Sequence, residues 1–328
     1  MVKVRDYIIR ATELTAINVW KLIVEKRFAS TDLLTEEESK SREKLIDQTG
    51  ADTMRAALTD IPFTLKVVGS EGRKHVHQYG EALPTLEGVF GSGSRKMDMV
   101  NDVVEGSKAA KLNSPGAVSI IAVSSDKGLM ATPKDIDYMD KLFGPPQLRG
   151  KISFQKSIEE NLMQVVITFG VKPSKINVVV MDRDRNAHLI NACQRFGVKL
   201  ILIKAGDLMP AVLACTDPIK HKKGIFLVMG IGGFEEGILS AVAAKALGAV
   251  GEGRGWSADL ETNKKYSSFW SLDELISGKR EECLVSISAI TEDTWFNLPK
   301  VRLTPEGYEV TTLTVSDMGV KIEKRVHH

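Results

Sequence analysis

The sequence predicts an α/β protein in two lobes, and three observations carry that expectation. From residue 151 onward, short β-branched runs alternate with helical patterns, as in a series of βα units whose crossovers build a largely parallel, buried sheet. Near the N-terminus, residues 5–27 place Ile8, Ile9, Ala16, Ile17, Trp20 and Ile23 at helical spacing, with Arg and Glu on the other side, which is the pattern of an amphipathic helix. A chain of 328 residues also exceeds what one core usually holds, so it is divided at the break near residue 150 into lobes 1–150 and 151–328.

After the first helix, residues 30–46 (STDLLTEEESKSREKLI) read as a charge-rich connection or an exposed helix. Phe63, Leu65, Val67 and Val68 form a strand-like run that stops at Gly69, leaving Glu71 on the loop beyond it. Residues 98–107 (DMVNDVVEGS) read as an acidic segment closed by a small Gly-Ser turn, and 116–123 (GAVSIIAV) as a strand. Gly144-Pro145-Pro146 breaks the chain after a helix. In the second lobe, Ser157 and Glu160 make a capping-box pattern ahead of Leu162, Val165, Val166 and Phe169, and Gly170 and Pro173 close that helix. There follow a strand (Ile176–Met181), a helix (Asn186–Phe196), a strand (Val198–Ile203), a helix (Leu208–Ala214) and a strand (Ile225–Met229). The last run meets Gly230, Gly232 and Gly233 and then an Ala-, Leu- and Val-rich helix, a turn that offers backbone donors to a phosphate.

Composition narrows the function class. Lys and Arg number 44 against 42 Asp and Glu, a formal charge of +2, so nothing broad favours nucleic acid. No run approaches the ~20 apolar residues of a membrane span, and the N-terminal segment carries acids too early for a secretory signal. Cys193, Cys215 and Cys283 have no metal-like spacing and lie in apolar patterns, as reduced core thiols of a cytoplasmic protein would.

Chemistry concentrates in a few carboxylates and two arginines. Asp98, Asp102, Glu105 and Ser107 fall within ten residues, and acids three apart beside a small turn suit a hard divalent cation, with the hydroxyl left to orient a water. Asp47, Glu71 and Glu236 are the carboxylates elsewhere that stand where the chain turns toward a common site. The plainer alternatives are a solvated acidic loop and helix-start glutamates favoured by the dipole. Arg183 and Arg185 leave the strand ending at Met181 together, either to grip a phosphate bidentately or to form surface ion pairs with Asp182 and Asp184.

Taken in order, the segments RATELTAINVWK, IDQTGADTMR, GSEG, DMVNDVVEGS, SSDKG, YMDKLFGP, VVVMDRDR, IKAGDL and GIGGFEEG resemble the class II fructose-1,6-bisphosphatase family over nearly the whole chain. That family is a branch of the lithium-sensitive, metal-dependent sugar and inositol phosphatases. Its metal loop, Asp-Pro-(Ile/Val)-Glu-Gly-Thr, here reads Asp102-Val103-Val104-Glu105-Gly106-Ser107. The resemblance implies a layered αβαβα sandwich with its site between two lobes. It implies Mg²⁺ or Mn²⁺ held by Asp47, Glu71, Asp102, Glu105 and Glu236, with Glu71 and Ser107 in catalytic positions and Ser107 replacing the threonine that orients the attacking water. Gly106, Ser107, Tyr138, Arg183, Arg185 and Asp207 match substrate contacts, Tyr138 and the arginines at the remote phosphate and Asp207 at sugar hydroxyls. The implied partner is a small sugar bisphosphate, with no nucleic acid or membrane, and the implied assembly is a homodimer or homotetramer. The implied reaction removes the 1-phosphate of fructose 1,6-bisphosphate, with sedoheptulose 1,7-bisphosphate a further substrate.

Two departures from the family pattern bear on that reading. Arg73-Lys74-His75-Val76-His77 stands where the family continues with acids, one of which is linked to activating the water. This leaves three alternatives: His75 or His77 as general base, both as surface residues, or a site without its base. Ala205 replaces a second acid ahead of Gly206-Asp207. The competing functions are a phosphatase for another metabolite, such as an inositol phosphate, and a homologue that binds sugar phosphate without hydrolysing it.

Overall fold

The computed structural model describes residues 2–26, 35–70, 86–258, 266 and 268–328. The chain opens with two helices, α1 (Val2–Glu25) and α2 (Glu36–Thr59). Helix α2 begins at a capping box: the Thr35 hydroxyl accepts from Glu38 N at 3.2 Å while Thr35 N donates to the Glu38 carboxylate at 2.9 Å. Residues 36–46 are therefore helix rather than connection, and 27–34 lie outside the described residues. Both helices pack through Ile8, Ile17, Ile46, Met54 and Leu58 onto a sheet that starts with β1 (Thr64–Ser70), β2 (Val89–Phe90), β3 (Lys96–Glu105) and β4 (Val118–Ser125).

A second sheet follows, from β5 (Tyr138–Gly144), β6 (Ile176–Met181), β7 (Lys199–Ile203), β8 (Ile225–Gly233), β9 (Val250–Trp256) and β10 (Trp270–Ser271), in the order β10-β9-β5-β8-β6-β7. The chain then returns to the first sheet with β11 (Leu284–Ala289), β12 (Arg302–Thr304), β13 (Gly307–Ser316) and β14 (Gly319–His327). Among the described residues the first sheet has eight strands, β12-β13-β11-β4-β3-β1-β2 with β14 on β13, and the second has six.

Strand pairing overturns two expectations. The division is not a single cut near residue 150. One compact unit holds Met1–Lys127, Leu284–Val315 and Val320–His328, and the other holds Gly128–Cys283 and Ser316–Gly319. The cause is that β5 hydrogen-bonds to β8 and β9, whereas β11 pairs with β4. Nor is either sheet largely parallel: among the described residues β6 runs parallel to β7 and β8, as the βα units predict, and β1 to β3, but β1–β2, β3–β4, β4–β11, β11–β13, β12–β13, β5–β8, β5–β9 and β9–β10 are antiparallel. The Gly144-Pro145-Pro146 break accordingly follows a strand, β5, and not a helix.

The second unit is a sheet covered on both faces. Leu142, Val178, Val180, Leu227 and Met229 pack against α4 (Ile158–Phe169) and α5 (Ala187–Phe196) through Leu162, Val165, Leu189 and Cys193. The period of two sends the buried neighbours Lys141, Phe143, Val179 and Val228 to the opposite face. That face is covered by α6 (Leu208–Ala214) and α7 (Phe234–Leu247), and nearly every side chain of α7 is buried. Helix on sheet in one unit and helix–sheet–helix in the other agree with the α/β sandwich that the resemblance implies. The helices are delimited as the sequence indicated: Ser157 and Glu160 close a capping box on α4, and Gly170 ends it in the left-handed region at φ 62°.

Candidate active site

Residues 98–107 are not a turn-bounded loop. Residues 98–105 belong to β3, an interior strand of the first sheet whose residues from Met97 to Glu105 are all buried. Asp98, Asn101, Asp102 and Glu105 are at most 6 % exposed, and burying such groups is costly unless something charged or hydrogen-bonding meets them. The strand carries an irregularity that matters for where its acids point. Against β4, Asp102 stands opposite Ile120 and Glu105 opposite Val118, so three steps on β3 match two on its neighbour. In a regular strand residues three apart face opposite ways; the extra residue of the bulge returns Asp102 and Glu105 to one side.

Helix α2 delivers Asp47 to the same bulge. It comes close because Gly50, one turn on, has no side chain: a Cβ there would lie 3.1 Å from Val104 Cγ2 and 3.3 Å from Val103 Cβ. Asp47 is 6 % exposed, and its Oδ1 is 3.0 Å from the Ser107 hydroxyl, which also stands 2.9 Å from the Val104 carbonyl. Asp102 Oδ1 accepts from Val104 N at 3.1 Å. Gly106 turns the chain from β3 into α3 (Ser107–Lys111) at φ +83°, and a Cβ at this position would meet Gly116 O at 2.4 Å, so no other residue fits. Glu71 and Arg73–His77 lie outside the described residues. Among the described residues no group of three or more His, Cys, Asp or Glu side chains stands at metal-binding distance. The donors that are present, buried carboxylates and a hydroxyl, are hard oxygens of the kind that Mg²⁺ or Mn²⁺ takes.

In the second unit, Tyr138, Arg185, Asp207 and Glu236 come together where β5 begins and β6 and β8 end. Arg185 stacks over the Tyr138 ring, its Cζ 4.4 Å from the centroid, and Nε donates to Ile231 O at 3.3 Å. Partial burial lowers the guanidinium from its ordinary value, and Arg183 adds to this, while Tyr138, Asp207 and Glu236 oppose it. With so high a starting point it remains a cation. Arg183 behaves differently: its guanidinium donates to the carbonyls of Asp182 at 3.0 Å and Lys204 at 2.6 Å, so the two arginines do not form one fork. Glu236 sits in the first turn of α7, 7 % exposed, where a Cβ on Gly233 would fall 1.9 Å from its Oε2. The glycine turn is thus a cradle for that carboxylate, and Glu235 and Glu236 are buried rather than exposed helix-start acids.

Two residues were not anticipated. Lys141, 1 % exposed, places Nζ 3.0 and 2.8 Å from the two oxygens of Asp207, and Gly232 leaves room for the pair, since a Cβ there would lie 2.2 Å from Asp207 Oδ2. The available signal was a lysine on the apolar face of a strand, between Met139 and Phe143. Asn186, fully buried, donates to Met181 O and Ile231 O at 3.0 and 3.2 Å and accepts from Ile231 N at 2.8 Å. It ties the end of β6 to β8 and fixes the backbone from which Arg185 extends.

Residues 28–326 match the family model described as bacterial fructose-1,6-bisphosphatase, glpX-encoded. A Synechococcus protein named D-fructose 1,6-bisphosphatase class 2/sedoheptulose 1,7-bisphosphatase is 29% identical over 309 residues, covering 85% of this chain and 86% of its own. A Prochlorococcus marinus protein of the same name is 33% identical over 211 residues, 63% of this chain and 60% of its own.

Proposed function

Because the chain belongs to the class II fructose-1,6-bisphosphatase family of phosphoric monoester hydrolases, we propose that it removes the 1-phosphate of fructose 1,6-bisphosphate, and that sedoheptulose 1,7-bisphosphate is a second substrate. The observation that supports this most directly is the bulged end of β3, where Asp102 and Glu105 share a side beside the Asp47–Ser107 contact.

In this reading Asp47, Glu71, Asp102, Glu105 and Glu236 hold Mg²⁺ or Mn²⁺. The bound metal supplies Lewis-acid stabilisation of phosphate charge and lowers the pKa of a water. The protein's own groups do the rest. Ser107 donates its proton to Asp47 or Val104 O, so its oxygen lone pairs are left to accept from the attacking water and aim it in line with the scissile bond. The water oxygen bonds to phosphorus, the bond from phosphorus to the sugar oxygen breaks, and the departing oxygen takes up a proton. Arg185, held flat by Tyr138, binds the remote phosphate, with Arg183 beside it. Asp207, held in place by its contacts with Lys141, accepts from sugar hydroxyls. We place the enzyme in the cytoplasm, as a homodimer or homotetramer, consistent with three buried free cysteines. Among the described residues no helix is long and apolar enough to cross a membrane.

The test is inorganic phosphate release from fructose 1,6-bisphosphate in Mn²⁺, Mg²⁺ or EDTA, with Asp102→Ala and Glu236→Ala beside the parent. Metal-dependent release lost in both variants supports the reading; release that survives EDTA or either substitution sinks it. A parallel panel with inositol phosphates and sedoheptulose 1,7-bisphosphate sets the substrate range.

A further inference from the structure

A polar cavity lies in the Gly128–Cys283 unit, at the far end of α7 from Glu236. Fourteen helical residues separate the two ends, a span of roughly 20 Å. The cavity has a volume of about 520 Å³, within the usual range for a small-molecule site. Arg149, Lys156, Lys245 and Arg280 line it, against two acids, Glu252 and Asp273. The acids are already engaged: Asp273 pairs with Lys245, and Glu252 accepts from Phe154 N at 2.7 Å. Burial raises Glu252 from its ordinary value, against the hydrogen bond from Phe154 N.

The two arginines are what single the cavity out. Arg280 is braced by donating from Nε to Ala246 O at 2.7 Å and from Nη2 to Asp317 O at 3.1 Å, which caps the carbonyl end of α7 and leaves Nη1 over Gly248. Arg149 Nη1 reaches the same point: a Cβ on Gly248 would lie 3.4 Å from Arg280 Nη1 and 4.0 Å from Arg149 Nη1. One arginine suffices to satisfy the helix end. The second repels the first, and among the described residues the Arg149 guanidinium has no hydrogen-bond or ion-pair partner. Two guanidiniums converging on a bare glycine, in a cavity also lined by Lys156, whose ammonium donates to Lys151 O, present the donor geometry of a phosphate site.

We propose that this cavity binds a phosphate-bearing small metabolite, its phosphate held by Arg149 and Arg280 with Lys156, at a site separate from the one where hydrolysis takes place. The test titrates the full chain with inorganic phosphate by calorimetry in EDTA, on an Arg185→Ala background that weakens binding at the catalytic phosphate positions. Saturable binding that falls at least tenfold in Arg149→Glu, falls likewise in Lys156→Glu and is largely kept in Arg149→Lys is the expected result. Absence of saturable binding in the Arg185→Ala background, or binding indifferent to Arg149→Glu in a variant whose thermal melt is unchanged, overturns the proposal.

Discussion

Replacing Lys141 by Met tests how the interior of the Gly128–Cys283 unit handles charge. Lys141 is 1 % and Asp207 6 % exposed, joined by contacts of 2.8 and 3.0 Å. Met keeps most of the volume and removes the ammonium, leaving a carboxylate buried without its partner. Breaking such a pair from one side costs about 3–5 kcal/mol, which for a unit of this size lowers the melting temperature by roughly 6–20 °C. Asp207→Asn leaves the opposite charge and costs about as much. The double variant Lys141→Met/Asp207→Asn costs less than the sum, because neither charge then remains. The two single variants also differ in sign with pH. In Lys141→Met the native protein relieves Asp207 by binding a proton that the unfolded chain does not hold near neutrality. Its stability therefore rises as pH falls, by up to about 1.4 kcal/mol per unit. In Asp207→Asn the native protein relieves Lys141 by losing a proton, so stability rises with pH. Urea unfolding of the four proteins between pH 5 and 9 measures both effects. Additive losses, or the same pH slope in the two single variants, would show that water reaches the pair and that the low-dielectric argument fails.

Gly106→Ala places a methyl against Gly116 O at a backbone angle that L-residues avoid, so it should cost more than about 2 kcal/mol and abolish phosphate release, read by thermal melt and assay. Ser107→Ala removes the hydroxyl beside Asp47 and should lower kcat by on the order of tenfold to a hundredfold, while Ser107→Thr retains activity; equal kcat in Ser107→Ala removes the serine from the mechanism. Burial pushes the Cys193 thiol up to about 11 and raises Cys215 further. At pH 8 only about 0.1% of such a thiol is ionised, so a disulfide reagent should label neither in the native state and both after unfolding. Ser157→Ala should destabilise α4 by about 1 kcal/mol in a urea titration, through loss of its capping box alone.

What could be read from the sequence depended on whether local pattern and tertiary role agreed. The run from Ser157 to Ala214 was legible nearly to the residue because each signal is local: a capping box, a left-handed glycine, a β-branched strand with the helical period on either side. The antiparallel returns were not legible. Whether β5 joins β8 or β11 joins β4 is decided by side chains 85 to 171 residues apart, and no local signal in β5 distinguishes a strand from the helix expected before Gly144. The buried Lys141–Asp207 pair was hidden for a related reason, since a lysine in sequence reads as surface until its partner, 66 residues away, is known.

Strand β3 shows why a functional strand misleads pattern reading. A strand interior to a sheet should be a run of apolar residues, and Lys96–Glu105 places Asp98, Asn101, Asp102 and Glu105 in that position. Such residues read as a loop because leaving them in a core is costly, and a fold retains them where something repays that cost. For Asn101 it is local, since its side chain accepts from the Ser70 hydroxyl and donates to Leu86 O. For Asp102 and Glu105 it depends on the bulge: without the extra residue they would face opposite sides of the sheet, and only one of them would stand toward Asp47. The Asp-x-x-Glu spacing is therefore wrong for a regular strand and right for a bulged one. Deleting Val103 or Val104 should restore regular pairing with β4 and turn one carboxylate away. The expected result is a folded protein, with its melt preserved, that no longer releases phosphate in Mn²⁺; full activity in either deletion would refute the role given to the bulge.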